Sequence, residues 1–143
     1  DFAFRPAIQG RPVANRRRSG KRPMSSMAPL IVFENDQPVL AVGSPGGRTI
    51  PHFISRVLMA SMFWELPPEQ SVAMPHLSIR GNRLVAERDS PMPWPFALTA
   101  LSDGDQQPKA QPLNSGIALL QKIGDHWHGV ADPRREGTAM ALP

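Results

Sequence analysis

Proline is the residue that most limits how this chain can fold, because it occurs 17 times among 143 residues. A proline fixes its own φ angle and has no amide hydrogen to donate, so it interrupts helices and is excluded from central strands. The prolines are scattered through the sequence and form no repeat. This distribution predicts many turns and irregular connections between short elements, and it does not predict a polyproline tract.

The composition is that of a globular protein, with 41% apolar and 20% charged residues. No apolar stretch approaches the roughly 20 residues that a membrane-spanning helix needs, so we expect no membrane span in this sequence. Cysteine is absent, which excludes disulfides, thiolate metal sites and cysteine nucleophiles and leaves the cellular compartment open. The sequence begins at Asp1 rather than at a methionine, and we therefore expect it to be part of a longer protein.

A basic segment at residues 11–22 is the main source of the net charge of +4. Such a segment attracts phosphate groups, but it has no aromatic side chain on which a base could stack, so we do not expect nucleic acid as its partner. A solvated, partly flexible loop and a contact with an acidic protein surface are the alternatives that remain. The cationic residues of the segment are Arg11, Arg16, Arg17, Arg18, Lys21 and Arg22.

The spacing of apolar residues predicts a mixed α/β chain. Residues 1–20 show little periodicity and are rich in Pro, Gly and Arg, which indicates an irregular, extended segment. Beyond it, β-favouring runs separated by turn residues predict three pairs of strands, and helical spacing or flanking prolines predict two helices. The predicted strands are residues 30–33 with 39–43, 77–79 with 84–87, and 116–123 with 127–131; the predicted helices begin near Thr49 or Ile50 and at Pro68, the second ending at Met74, and residues 96–101 have room for one or two further helical turns.

A glycine-rich turn, Gly43-Ser44-Pro45-Gly46-Gly47, connects one predicted strand to the following helix. Glycine lets backbone N–H groups approach a ligand closely, and a helix N-terminus adds positive potential, so this junction suits an anion or a developing oxyanion. Arg48 and Thr49 follow the glycines where a phosphate-binding loop has lysine and then serine or threonine, which excludes a nucleotide loop. A tight turn without a chemical role is the alternative for Gly46 and Gly47.

Ser25 and Ser26 are a second candidate site. Two adjacent hydroxyl groups and their backbone amides can hold a carboxylate, while the flanking Met24 and Met27 anchor the segment. The serines lie outside a Gly-x-Ser-x-Gly motif, and no nearby histidine and acid complete a triad, so the pattern does not predict a serine hydrolase. A solvated turn is the alternative.

His126 and His128 alternate around Trp127, and on a strand both imidazoles would project to one face. A metal site would need a third ligand, and the sequence identifies none. We therefore expect an exposed hairpin face here, and no metal. Asp132, in Asp132-Pro133-Arg134, is expected to form a turn and to cap local backbone.

Three segments together resemble the γ-glutamyltranspeptidases in their order and approximate spacing. The resemblance is strong over residues 21–58 and 116–141 and poor over residues 76–113, so it covers most of the chain. Asp1-Phe2 also resembles the family's Asp-Phe segment upstream of the serine pair. The three segments are Lys21-Arg22-Pro23-Met24-Ser25-Ser26-Met27-Ala28-Pro29, Gly43-Ser44-Pro45-Gly46-Gly47 and Gly129-Val130-Ala131-Asp132-Pro133-Arg134-Arg135-Glu136-Gly137.

This resemblance implies a self-cleaving precursor with a four-layer αββα N-terminal nucleophile hydrolase fold, of which residues 1–143 would be the C-terminal portion of the small subunit. The implied reaction is transfer or hydrolysis of the γ-glutamyl group of glutathione-like amides. Asp1 would pair with the α-amino group of the substrate, and Ser25 and Ser26 would hold its α-carboxylate. Gly46 and Gly47 would form the oxyanion hole.

The resemblance also implies partners and a location. The expected partners are a large subunit, the N-terminal part of the small subunit and a small γ-glutamyl substrate, with no cofactor. A periplasmic or extracellular location is implied by the family. No residue here corresponds to the family's threonine nucleophile, so we expect it on sequence beyond these residues and expect this chain alone to be inactive.

The sequence departs from the family pattern at two places. Arg48-Thr49 stands where serine and arginine are usual, and Met74-Pro75-His76-Leu77 stands where alanine, proline, arginine and phenylalanine are typical. Substrate choice could therefore differ. An amide acylase of the cephalosporin or glutaryl type on the same fold is the alternative activity, and a non-catalytic binding module that uses the basic segment is the alternative outside catalysis.

Overall fold

The computed structural model describes residue 4 and residues 7–95, 107–113 and 115–141. Within them, short strands and helices alternate as the scattered prolines predict. The strands are β1 (Ala7–Ile8), β2 (Arg11–Pro12), β3 (Leu30–Glu34), β4 (Gln37–Gly43), β5 (Leu77–Arg80), β6 (Arg83–Glu87), β7 (Lys109–Gln111), β8 (Ala118–Ile123) and β9 (His126–Ala131); the helices are α1 (Ile50–Leu58), which continues as a π-helical turn at Met59–Phe63, and α2 (Pro68–Ala73).

A four-stranded antiparallel sheet with strand order β3-β4-β8-β9 contains both hairpins that the sequence predicts at its two ends. The β3–β4 connection is a two-residue turn in which Asn35 has a φ of 48° and Asp36 a φ of 61°. Both angles are positive, as in a type I′ turn, whose twist matches that of the flanking strands. Both predicted hairpins are confirmed, and the sheet places their strands side by side.

Helix α1 follows the glycine turn, so the predicted order of strand, glycine turn and helix is confirmed. Its buried residues are Ile50, Phe53, Ile54 and Val57, the spacing of a helix with one apolar face. They pack with Leu40 and Leu119 of the sheet in the hydrophobic core. Helix α2 is also confirmed, with Met74 as its C-terminal cap. No helix within the described residues is long and apolar enough to span a bilayer.

A three-stranded sheet with order β5-β6-β7 lies beside α1. Its β5–β6 hairpin is confirmed, but β7, which pairs in parallel with β6, is not predicted from the sequence. A three-residue strand with the sequence Lys-Ala-Gln has too few apolar positions to show an alternating pattern. Residues 96–101, for which one or two helical turns were predicted, lie outside the described residues.

The N-terminal segment is more regular than the sequence suggests. Strands β1 and β2 form a small antiparallel hairpin in which Ala7 pairs with Pro12 and Ile8 with Arg11. Within the segment predicted to be extended or loop-like, residues 7–12 thus form a short hairpin that the sequence did not predict. Both strands are exposed and only two residues long, so no alternation of apolar and polar residues marked them in the sequence.

One face of the four-stranded sheet is left open. Ile31, Ala41 and Leu120 lie opposite one another on β3, β4 and β8, on the face turned away from the core. The exposed fractions of Ile31 and Leu120 are 57% and 50%. Ala139, near the end of the described residues, packs close to Gly129 of β9 and lines an apolar groove of about 730 Å³ over this face.

Candidate functional site

The double glycine occupies the junction between β4 and α1 in a conformation that depends on its residue type. Gly47 has a φ of +58°, a left-handed conformation that glycine adopts without steric cost. The hydroxyl of Thr49 donates a hydrogen bond to the carbonyl of Gly46 at 2.8 Å. Thr49 thereby closes the short 3₁₀ turn at Gly47–Thr49 that leads into α1. With the Arg48-Thr49 departure from the family pattern the turn still closes ahead of α1, but no side chain among the described residues caps the first amides of the helix.

Gly46 is required for a different reason, which is close packing. A Cβ atom at this position would lie 3.0 Å from Oγ of Ser115, 3.1 Å from its Cβ and 3.3 Å from the ring of Phe53. Contacts this short force a neighbour to move. The glycine turn thus packs closely against Ser115 and against Phe53 of α1.

The backbone amides of Gly46 and Gly47 are available to a ligand. Neither N–H group donates a hydrogen bond to another residue in the part of the chain that the structure describes. Both glycines are half-buried, and the N-terminus of α1 adds the positive end of its dipole. Two such donors at a helix start can stabilise the negative charge that develops on a carbonyl oxygen during acyl transfer.

The structure brings the serine pair to the glycine turn. The hydroxyl of Ser26 donates a hydrogen bond to the carbonyl of Gly47 at 2.7 Å, so two motifs 21 residues apart in sequence are in direct contact. Ser25 is exposed, and its hydroxyl oxygen accepts a hydrogen bond from the amide of Met27 at 3.1 Å. This bond fixes the Ser25 side chain and leaves its hydroxyl proton without a described acceptor, free to bond a carboxylate.

The remaining predicted site residues are not brought to this turn by any described contact. Asp1 lies outside the described residues. His126 and His128 are exposed on β9, and no cluster of three potential metal ligands forms among the described residues.

A buried ion network behind the site was not recognised in the sequence. Arg134 donates to both carboxylate oxygens of Glu87, at 2.6 and 2.8 Å, and its Nη1 lies 3.0 Å from Oδ1 of Asp132. The Arg134 and Glu87 side chains are each 3% exposed, and Asp132 is 1% exposed. Arg134 also donates to the last carbonyl groups of α2 and the residue after it, which are those of Val72, Ala73 and Met74.

This network keeps the guanidinium group of Arg134 protonated. Burial alone would lower the pKa of its guanidinium group, but the hydrogen bonds to Glu87 and the charges of Asp132 and Glu87 outweigh burial and raise that pKa above its ordinary value. Arg56, on α1, donates to the carbonyls of Ser71 and Val72 at 2.8 and 3.3 Å. Its own burial and the charge of Arg134 lower the pKa of Arg56 to about 10, so both arginines are cations at neutral pH.

His76 is a further buried polar residue at this site, and its role was not recognised in the sequence. Its ring stacks on Phe53 with ring centroids 3.9 Å apart and an interplanar angle of 19°. Its Nε2 donates to the carbonyl of Ser115 at 2.8 Å, and its Nδ1 is buried with no partner among the described residues. Burial, followed by the charges of Arg134 and Arg56, lowers the pKa of His76 to about 3, so the ring is neutral at physiological pH.

His76 is expected to make the folded chain less stable in mild acid. Its pKa is about 3 in the folded state against 6.5 ordinarily, so between these values the unfolded chain binds a proton that the folded chain does not. Its contribution to stability is complete above the ordinary pKa and decreases as the pH falls toward the folded value. The decrease is about 2 kcal/mol at about pH 5.

Urea unfolding of the full-length protein at about pH 7.5 and about pH 5 measures this effect. A His76→Phe variant should lose less stability than the wild type between the two conditions, by about the same 2 kcal/mol. Equal losses in the two proteins would show that His76 does not carry the pH dependence.

Known structures define the class of this fold. The chain of γ-glutamyltranspeptidase from Pseudomonas nitroreducens, solved in complex with L-DON, superposes with a TM-score of 0.78 at 26% sequence identity, and the match covers 92% of this chain and 69% of that chain. The mixed α/β architecture is therefore that of an N-terminal nucleophile hydrolase, as the sequence resemblance implies.

The family follows from the sequence comparisons. A family model described as gamma-glutamyltranspeptidase matches residues 1–142, and the chain belongs to the γ-glutamyltranspeptidase family. Glutathione hydrolase proenzymes are among its relatives: that of Bacillus subtilis is 35% identical over 134 residues, covering 90% of this chain and 22% of the relative. That of Pseudomonas aeruginosa is 37% identical over 151 residues, covering 99% of this chain and 27% of the relative. The chain thus spans about a quarter of the length of these enzymes.

Proposed function

We propose that this chain supplies the donor-binding and oxyanion-stabilising groups of an enzyme that transfers or hydrolyses the γ-glutamyl group of glutathione-like amides. The observation that carries the proposal is the hydrogen bond between Ser26 and Gly47. A γ-glutamyl group has an α-carboxylate at one end and the scissile amide carbonyl a few bonds away. A carboxylate clamp in contact with an amide-donor turn suits a group of this length.

In this proposal the α-carboxylate accepts hydrogen bonds from the hydroxyl of Ser25 and from the backbone amide of Ser26, whose own hydroxyl is donated to Gly47. Asp1 pairs with the α-amino group. The scissile carbonyl oxygen points at the amides of Gly46 and Gly47. A threonine hydroxyl from sequence beyond these residues attacks the carbonyl carbon, and its own amino group takes the proton. The tetrahedral oxyanion is stabilised by the two amides, each worth about 3 kcal/mol. Its collapse expels the amine, which leaves with that proton, and water or an acceptor amine then releases the glutamyl group from the threonine.

The open face of the four-stranded sheet supports the need for partner segments. Ile31 and Leu120 are apolar yet about half exposed, and an apolar sheet face of this kind is normally covered. We place there the N-terminal part of the small subunit, which would complete the αββα sandwich, with the large subunit beside it. Residues 1–143 would then be the C-terminal part of the small subunit.

Substitution of the serines tests the proposal in the full-length, processed protein. Ser25→Ala should raise KM for a γ-glutamyl anilide about tenfold with little change in kcat, because a hydrogen bond to a charged group contributes about 1.5 to 3 kcal/mol. Ser26→Ala should instead lower kcat with a smaller change in KM, because it keeps the backbone amide that binds the carboxylate and releases the carbonyl of Gly47 in the oxyanion turn. Steady-state kinetics on both variants separate the two effects.

The matched control is Ser55→Ala, an exposed serine on α1, whose kinetics should equal those of the wild type. Glutaryl anilide, which lacks the α-amino and α-carboxylate groups, should be a poor substrate. Turnover of glutaryl anilide that exceeds turnover of the γ-glutamyl anilide would instead support an amide acylase. Absence of any hydrolysis, together with salt-dependent binding of a polyanion, would support a non-catalytic module.

A further inference from the structure

Residues 115–117 form the segment whose first residue, Ser115, packs against Gly46. We call this segment the seat. Each of its three residues is fixed by a different side chain. His76 donates to the carbonyl of Ser115 at 2.8 Å, and the hydroxyl of Ser44 donates to the carbonyl of Gly116 at 2.8 Å. The amide of Ile117 donates to Asp132 at 3.0 Å. The seat is therefore held by side chains rather than by strand pairing alone.

His76 contacts both of the groups that pack against Gly46. It bonds the backbone of Ser115 through Nε2, and it stacks on Phe53 through its ring face. The Oγ of Ser115 and the ring of Phe53 are the atoms that would lie 3.0 and 3.3 Å from a Cβ at Gly46. One imidazole thus connects the two surfaces that determine where the Gly46 backbone lies.

The position of His76 is itself fixed from the opposite side. Its amide donates to Oε2 of Glu87 at 2.7 Å, and the amide of Glu87 donates to the carbonyl of His76 at 2.9 Å. Glu87 is in turn held by Arg134. A chain of short contacts therefore leads from the buried ion network through His76 to the glycine turn.

Packing of the hydrophobic core does not explain why residue 76 is a histidine. The Nδ1 atom of His76 is buried and has no partner among the described residues, and an unpaired buried nitrogen is unfavourable. An apolar ring of similar size would avoid this cost. A cationic side chain would be worse in this chain, because Arg134 and Arg56 already place two positive charges close to this position. What histidine adds here is a neutral donor and a flat ring in one side chain.

We infer that His76 is a positioning residue for acyl transfer, which holds the Gly46–Gly47 turn in its oxyanion-binding geometry through Ser115 and Phe53. The inference rests on the proposed role of the glycine turn. His76 does not touch the substrate in this arrangement. Its removal should therefore weaken stabilisation of the transition state more than binding of the substrate.

Two variants separate the functions of the ring in the full-length, processed protein. His76→Phe keeps a ring that stacks on Phe53 and removes the donor, whereas His76→Gln keeps a donor and removes the stacking. His126→Phe, at an exposed histidine on β9, is the matched control. The measurements are kcat per titrated active site with a γ-glutamyl anilide, the inhibition constant of free glutamate, and hydrogen–deuterium exchange of the peptide that covers residues 43–49.

His76→Phe should lower kcat about tenfold or more, with the inhibition constant of glutamate within about threefold of the wild type. Within residues 43–49, exchange of the Thr49 amide, which donates to the carbonyl of Gly46, should be at least about tenfold faster, because the His76 donor no longer holds the seat. His76→Gln should recover kcat to within about threefold of the wild type, and His126→Phe should match the wild type throughout.

Other results would overturn the inference. A kcat for His76→Phe within about twofold of the wild type, or a lower kcat with unchanged exchange, would mean that His76 does not act through the turn. If the wild-type protein shows no turnover of the γ-glutamyl anilide, the proposed function is refuted instead. In that case faster exchange in His76→Phe would show only that His76 holds the glycine turn in place, and unchanged exchange would overturn that part of the inference as well.

Discussion

Replacement of Gly46 by alanine is expected to lower kcat about 100- to 1,000-fold, the loss that follows removal of one donor from an oxyanion hole. The added methyl group would lie 3.0 Å from Oγ of Ser115 and 3.3 Å from the ring of Phe53. We expect the turn to shift by a few tenths of an ångström, because Ser115 and Phe53 are both held by His76, and its amides would then point away from the carbonyl oxygen of the proposed complex. Because the charge on that oxygen develops only in the transition state, KM should change much less than kcat.

The control for this substitution is Gly81→Ala. Gly81 has a φ of +66° and no atom within 4 Å of a built Cβ, so alanine there introduces backbone strain of about 1 kcal/mol at an exposed hairpin turn without touching the site. Its kcat per active site should equal that of the wild type. A Gly46→Ala variant with a kcat no lower than that of Gly81→Ala would contradict the oxyanion role.

Replacement of Arg134 by methionine is expected to lower the free energy of unfolding by about 3 to 5 kcal/mol, the usual cost of removing one partner from a buried ion pair. The variant would leave the carboxylates of Glu87 and Asp132 buried without their cation. It would also leave the carbonyls of Ala73 and Met74 without the donor that now caps α2, while the carbonyl of Val72 would keep only its bond from Arg56. Urea unfolding of the full-length protein followed by fluorescence measures the loss.

Two further variants test the cause of this loss. Arg83→Met, at an exposed position of β6, removes the same charge from the surface and should change stability by less than about 0.5 kcal/mol. Adding Glu87→Gln to Arg134→Met should recover part of the lost stability, because one unpaired buried charge is then eliminated. A loss below about 1 kcal/mol for Arg134→Met would show that the ion network does not stabilise the fold.

Local patterns in the sequence predicted the elements around the glycine turn. The Asn35-Asp36 turn sits between two β-favouring runs, and its residues tolerate the positive φ angles that the hairpin needs. Pro51 marks the first turn of α1, because proline lacks only a hydrogen-bond donor that is unused at a helix start. The serine pair and the double glycine were identified one motif at a time, and only the resemblance to the family implied that both face the same acyl group.

The ion network and the seat were missed because they depend on contacts between residues far apart in sequence. Arg134 and Glu87 are separated by 47 positions, and neither periodicity nor a turn motif relates them. Asp132 was expected to cap local backbone, and it does accept a hydrogen bond from the amide of Arg134 at 2.9 Å. Asp132 also forms a buried ion pair with the guanidinium group of Arg134. No local pattern in the sequence predicts that burial. His76 was noted only as part of a departure from the family pattern, because one histidine between apolar residues has no characteristic spacing.

The separation of Glu87 from Arg134 also sets an order of events during synthesis of the protein. A ribosome releases β6, with the carboxylate of Glu87, well before the guanidinium group that neutralises it 47 residues later. Until then a buried Glu87 would be an unpaired charge, so this part of the nascent chain is expected to stay open. Docking of α2 and of the strand that carries Glu87 would therefore be among the last steps of folding on the ribosome.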